Sequence, residues 1–211
     1  MIRISLKGLA KFMTSTPARQ RKILKDYKYP DPEGFVQAIY YREARDFIVA
    51  FHRDGHDPTW LTSKAATIST LAASSTGQTK TRLKNNSRAL REYATNFGRK
   101  KFEILHDINL EVSYFGVRVT VVPDLHVREG QTEKIIKLEF SKDLPEEKAV
   151  KIIGQALYEA QEVAGMGLTS SSVLVFDVAR GQIHKGARAG ARMRAEIEAA
   201  CQNISSLWGG I

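Results

Sequence analysis

Cysteine, proline and unbroken apolar sequence are all scarce in this chain. Of 211 residues, one is cysteine and six are proline. The lone Cys201 excludes an intramolecular disulfide and any cysteine-rich zinc site. No histidine adjoins it in sequence to form a nucleophilic pair. No window approaches the ~20 apolar residues of a membrane span. The opening MIRISLKGLAKFMTSTPARQ has no long apolar core for a signal peptide. A cytoplasmic protein without membrane contact is therefore expected. Neither GxxxxGK[ST] nor GxGxxG occurs, so nothing points to an organic cofactor cradled by a phosphate loop. His52 and His56 stand four apart, but Gly55 and Pro58 interrupt a helix there, which disfavours a zinc pair.

Acidic residues are scarce in one half only. Residues 1–100 hold 19 Lys/Arg against 8 Asp/Glu, whereas residues 101–185 hold 10 against 13. The net charge of +9 thus belongs to the N-terminal half. A basic region suits a polyanionic partner, DNA or RNA, whose backbone charge carries most non-specific affinity. A solvated basic face would have the same composition. Hydrophobic content of 43% with 26% charged residues is that of a globular chain with a proper core.

The first hundred residues read as helices. Thr16-Pro17 starts one that runs to about residue 29, and Pro30 and Pro32 break it. A second is expected over 33–53, carrying Phe35, Ala38, Ile39, Phe47, Val49 and Phe51. Thr59 can cap a third through residue 73, and a fourth spans 79–97. This last helix, TKTRLKNNSRALREYATNF, offers Leu83, Leu90, Tyr93 and Phe97 to a core. Its Lys80, Arg82, Lys84, Arg88 and Arg91, with Asn85, Asn86 and Ser87 between them, are the side-chain types that contact phosphates.

From Lys100 the period becomes alternating. Segments 102–105, 110–112, 117–122 and 135–140 read as strands, with Gly116 and Glu129-Gly130 as turns. A helix follows from about residue 144, with Ala149, Ile152, Ile153, Ala156, Leu157, Ala160 and Val163 as its apolar stripe, ended by Gly165 and Gly167. Residues 173–176 form a buried strand closed by Asp177. The last helix covers 186–204, and Trp208 is expected to tuck onto the core. The domain division is a basic helical region 1–78, a sheet domain 79–185, and a C-terminal helix and tail 186–211.

Within VRVTVVPDLHVREGQTEKIIKLEFSK, Pro123-Asp124 closes one expected strand and Glu139 lies near the end of the next. Carboxylates on adjacent strands make a minimal divalent-metal site. A Glu139 buried among Ile135, Ile136, Leu138 and Phe140 would cost several kcal/mol if unpaired. The order over residues 79–178 is helix, three or four strands, helix, strand. With the Pro-Asp pair, it resembles the PD-(D/E)xK nuclease superfamily, whose core is αβββαβ, over about half of the chain.

The resemblance implies an α+β protein with a restriction-endonuclease-like mixed sheet behind the helical N-terminal region. It makes Asp124 and Glu139 catalytic metal ligands, with Glu92 from the preceding helix as a third. The metal would be Mg or Mn, which suit oxygen ligands. A lysine is implied two places after the glutamate, but Ser141 stands there. Strand alternation puts Lys137 on the face of Glu139, one pleat early, as the candidate catalytic lysine, while Lys142 points the other way or begins the next loop. Members of the RecB-like branch also place a glutamine and a tyrosine one turn apart on the next helix. Gln155 and Tyr158 are similar, spaced three apart rather than four, although amphipathicity alone puts them on the exposed side.

The function expected is a nucleic-acid-associated protein with a degenerate nuclease-like core, binding DNA or RNA backbone through its basic half. One alternative is an active Mg-dependent nuclease with a relocated lysine. Another is a protein-interaction subunit that makes no nucleic-acid contact.

Overall fold

Helix gives way to strand close to residue 100, as the change of period indicates. The computed structural model describes residues 1–30, 40–140, 146–186 and 191–211. The chain opens with a strand, β1 (Ile2–Ser5), and a helix, α1 (Leu6–Met13). Helices α2 (Pro17–Lys28), α3 (Arg42–Arg53), α4 (Pro58–Ala73) and α5 (Gly77–Phe97) follow. Then come β2 (Glu103–Ile104), β3 (Leu110–Tyr114), β4 (Val117–Val121), β5 (Leu125–Glu129) and β6 (Thr132–Glu139). Helix α6 (Glu146–Val163), β7 (Val173–Asp177), β8 (Gln182–Lys185) and α7 (Ala191–Trp208) complete an α+β architecture. Among the described residues no helix is long and apolar enough to cross a membrane.

The strands form two sheets, where the sequence suggested one run. One has the order β1-β4-β3 and the other β2-β5-β6-β7-β8. Pro123 separates them: it has no N–H to continue a ladder, so β4 stops before it. Asp124 therefore does not close the strand 117–122 as a partner of β6. It precedes β5, a strand the sequence reading left out, and β5 pairs antiparallel with β6, Leu125 opposite Ile136. Strand β7 lies parallel to β6 on the other side, with Asp177 in register with Glu139. The turns at Gly116 and Gly130 fall where expected, both with positive φ, 77° and 61°.

Alternation along β6 sorts its side chains into two cores. Ile135 packs with Val173, Val175, α1, α6 and α7. Ile136, Leu138 and Phe140 pack with Leu174, Phe176 and the helices α3 to α5. Residues 1–78 do not stand apart from the sheets. Strand β1 pairs in parallel with β4, and Ile4, Leu9, Phe12 and Leu24 share a core with α6 and α7. Trp208 does pack against that core, and the Lys28 ammonium donates to its carbonyl at 2.8 Å.

Two helix starts differ from expectation. Asp57 rather than Thr59 caps α4, accepting the Thr59 N–H at 2.8 Å, because Pro58 suits the first helical position. Tyr40 and Tyr41 form a turn and α3 begins at Arg42, while the first part of the expected helix falls on residues 31–39, outside the described set. Buried Asn86 supplies the cap, accepting the Ala44 N–H at 2.8 Å and donating to the Tyr40 carbonyl at 2.6 Å.

Candidate functional site at the ends of two parallel strands

Glu139 and Asp177 are the last residues of the parallel pair β6 and β7, and Asp124 enters from the neighbouring strand at the same end. Carboxyl ends of parallel strands are where open sheets hold ligands, since loops leave there and helices do not cover it. Asp124 is held in place by its backbone, whose N–H donates to the Ile136 carbonyl at 2.9 Å. Its Oδ2 in turn accepts the Leu138 N–H at 2.8 Å. The β5–β6 register begins at Leu125 opposite Ile136, which brings Asp124 beside Lys137, a residue on the same face of β6 as Glu139.

Each of these carboxylates meets a cation. Lys137 Nζ lies 3.0 Å from Asp124 Oδ2 and also donates to the Val122 carbonyl at 2.9 Å. Arg45 Nε of α3 lies 2.7 Å from Asp124 Oδ1. Lys7 Nζ of α1 lies 2.9 Å from Glu139 Oε2. The Asp124 and Glu139 side chains are 4% and 0% exposed, whereas Arg45 and Lys7 are 36% and 41% exposed. The acids are thus sealed below and the cations form the rim. Asp177 is closed locally, accepting from the Arg180 backbone N–H at 3.0 Å and from its guanidinium at 2.8 Å.

Glu92, the third acid implied by the resemblance, faces Arg88 one turn back, with Arg88 Nε 3.7 Å from its Oε1. Arg88 also donates to the Phe140 carbonyl at 3.3 Å, which links α5 to the end of β6. Tyr41 stacks on Phe140 with ring centroids 4.9 Å apart. Burial raises the Tyr41 hydroxyl above its usual value against the opposing pull of Arg88.

The other expected contacts are dispersed. Arg82 is paired with Glu43 of α3, so Arg82 and Arg88 work inside the fold, while Lys84 and Arg91 are exposed and Lys80 is half-buried. Asn85, Asn86 and Ser87 make side-chain hydrogen bonds inside the fold. They bond to Tyr40 Oη, the Tyr40 carbonyl and the Ala65 carbonyl. Gln155 and Tyr158 lie buried on α6 rather than on its exposed side. Gln155 Nε2 donates to Glu159 Oε1 at 2.7 Å, and Glu159 Oε2 accepts from the Tyr114 hydroxyl at 2.5 Å. Gln155 therefore belongs to a network with Glu159 and Tyr114 that joins α6 and β3. His52 bonds to the Tyr93 hydroxyl and His56 stacks on Trp60. Ser141, Lys142 and the small basic stretch 187–190 lie outside the described residues.

Lys7 and Arg45 had no signal in the sequence. They join the site only because β1 aligns with β4 and α3 crosses the strand end. The start of α1 is built tightly. Ser5 Oγ accepts the Gly8 N–H at 3.1 Å and meets the Tyr27 hydroxyl at 2.6 Å. A Cβ on Gly8 would overlap that hydroxyl and sit 2.6 Å from Tyr27 Cζ. Gly8→Ala is accordingly expected to cost about 1–3 kcal/mol of stability, the usual penalty of overpacking, measured by thermal denaturation.

Mg or Mn, implied by the resemblance, seeks bare carboxylate oxygens. Here Asp124 and Glu139 present oxygens already engaged by Lys137, Arg45, Lys7 and two backbone N–H groups. Among the described residues, no three His, Cys, Asp or Glu side chains are grouped to hold a metal. In this arrangement Lys7, Arg45, Arg88 and Lys137 stand against Asp124, Glu139 and Glu92. No protein-family model matches the chain, and no curated protein matches it.

Proposed function

We propose that the protein binds the backbone of DNA or RNA at this strand end, on a nuclease-like scaffold whose carboxylates position cations. The observation that carries the reading is the arrangement of charge: buried acids beneath a half-exposed rim of Lys7 and Arg45, in a chain whose first hundred residues are strongly basic. A buried ion-pair network is on average no more stabilising than apolar packing of the same volume, so stability gives little reason for it to stand at a ligand-prone edge. Half-exposed ammonium and guanidinium groups oriented by buried acids are preorganised for phosphate oxygens. Exposed Lys84 and Arg91 on α5, and Arg19, Arg21, Lys22 and Lys25 on α2, add positive charge on helices that pack into the two cores on either side of β6.

The fold gives further support to the scaffold reading. Helix α5, β2, the β5–β6 hairpin, α6 and β7 come in the order of an αβββαβ core, with β3 and β4 of the other sheet inserted after β2. The test is binding of fluorescein-labelled single- and double-stranded DNA and RNA, followed by anisotropy at low salt, with a parallel gel for cleavage in Mg²⁺. Micromolar or tighter binding without cleavage is the expected result. Mg²⁺-dependent cleavage that requires Asp124 and Glu139 would instead establish the nuclease alternative. Absence of binding to all four nucleic acids would overturn the reading.

A further inference from the structure

Helix α1 brings a second ammonium to the same edge. Lys11 follows Lys7 by four residues, one turn further along the helix, on the same face. Desolvation lowers the Lys11 pKa, and the nearby charges of Lys7 and Arg19 lower it further, while Glu139 acts in the opposite sense. Three cations therefore feel one another beside a single buried carboxylate. An anion at this point would relieve their repulsion, and a metal cation would add to it. The helix is anchored for the task by the Ser5, Gly8 and Tyr27 contacts at its start and by β1, which is in register with β4 from Ile2 opposite Val117 to Ser5 opposite Thr120.

We propose that Lys7 and Lys11 of α1 are the side chains through which the strand-end site takes a nucleic-acid phosphate, and that this binding needs no divalent metal. The inference rests on the function proposed above and assigns its cation. Lys7 stands at 2.9 Å from Glu139, where the resemblance would put a metal ion, and its side chain is open to solvent on the other side. Glu139 orients the ammonium, and the ammonium meets the phosphate. Lys11 provides the second contact without a carboxylate of its own among the described contacts.

The experiment must separate a phosphate ligand from a mere counter-ion of Glu139. Lys7→Ala alone would remove a cation from a buried carboxylate and confound the two. Glu139→Gln and the double variant Lys7→Ala/Glu139→Gln avoid this, because the neutral amide needs no cation. Anisotropy with a labelled 20-nucleotide single strand is measured at matched ionic strength, once with 1 mM EDTA and once with 1 mM Mg²⁺, and melting temperature is recorded for each protein. Wild type is expected to bind equally, within about twofold, under both conditions. Glu139→Gln should bind as tightly as wild type or more tightly. The double variant should melt close to Glu139→Gln yet bind about tenfold more weakly, the loss of one charge-assisted contact. Lys11→Ala should weaken binding severalfold without moving the melting temperature. Equal affinity of the double variant and Glu139→Gln would overturn the inference, as would loss of wild-type binding in EDTA, and either outcome leaves nucleic-acid binding itself intact. Wild type that binds in neither condition overturns both proposals together.

Discussion

Asp124→Ala is expected to destabilise the protein by about 3–5 kcal/mol, the range for removing one partner of a buried ion pair. The carboxylate is 4% exposed and serves Arg45, Lys137 and the Leu138 N–H at once. Alanine would leave two cations and a backbone donor facing one another at the end of the sheet. Asp124→Asn keeps the shape and an acceptor for Leu138, so the loss should be roughly half as large and the fold retained. Binding should then move in the opposite direction from stability. The asparagine variant adds one net positive charge to the site, and its affinity for an oligonucleotide at low salt should rise a few-fold. In a metal-centred site the same substitution removes a ligand and should weaken binding instead. Chemical denaturation and anisotropy on the same preparation distinguish the two.

The second large effect concerns acid. His52 lies buried in α3, its Nε2 2.8 Å from the Tyr93 hydroxyl, with the Phe51 and Phe102 rings 4.6 and 4.8 Å away. Burial lowers its pKa to about 4, against about 6.5 in an unfolded chain. The fold therefore holds the neutral imidazole. As pH falls below about 6.5, the unfolded chain takes up a proton that the folded chain refuses, and stability declines until the folded group also titrates near pH 4. The whole step is worth about 3 kcal/mol. Urea denaturation at pH 7 and at pH 4.5 should show much of this loss in wild type. His52→Gln, which keeps a polar partner for Tyr93 but cannot titrate, should lose markedly less between the two values. Equal losses in both proteins would show that His52 does not govern the acid limb.

What the sequence disclosed, and what it hid, divides along the range of the interactions. The change of period near Lys100 announced helices before strands, and alternation in β6 separated Lys137 and Glu139 from Ile136, Leu138 and Phe140 as the two cores require. Those signals are local. Strand β5 was missed because LHVRE combines a histidine and two charged residues, and its pattern is set by pairing with β6 rather than by a simple apolar alternation. Asn85 to Ser87 resembled a phosphate-contacting set because the residue types are the same. In the fold Asn86 instead caps α3 across 42 residues of sequence, a role with no local signature. Lys7 was illegible for the same reason, since it reaches Glu139 only through the parallel pairing of β1 with β4.

The central claim is that phosphate backbone is held by the cation rim over Asp124 and Glu139, and the salt dependence of oligonucleotide binding tests it most directly. The observed association constant for a single-stranded oligonucleotide should fall along a line of log K against log salt with a slope of about −2 to −3, as for three or four neutralised phosphates. Arg45→Ala and Lys7→Ala/Glu139→Gln should each make that slope shallower by roughly one contact, while Lys64→Ala, remote on α4 beside Trp60, should leave it unchanged. A flat dependence, or a slope that the rim substitutions do not alter, would contradict the account and point to a protein partner or to a different basic face.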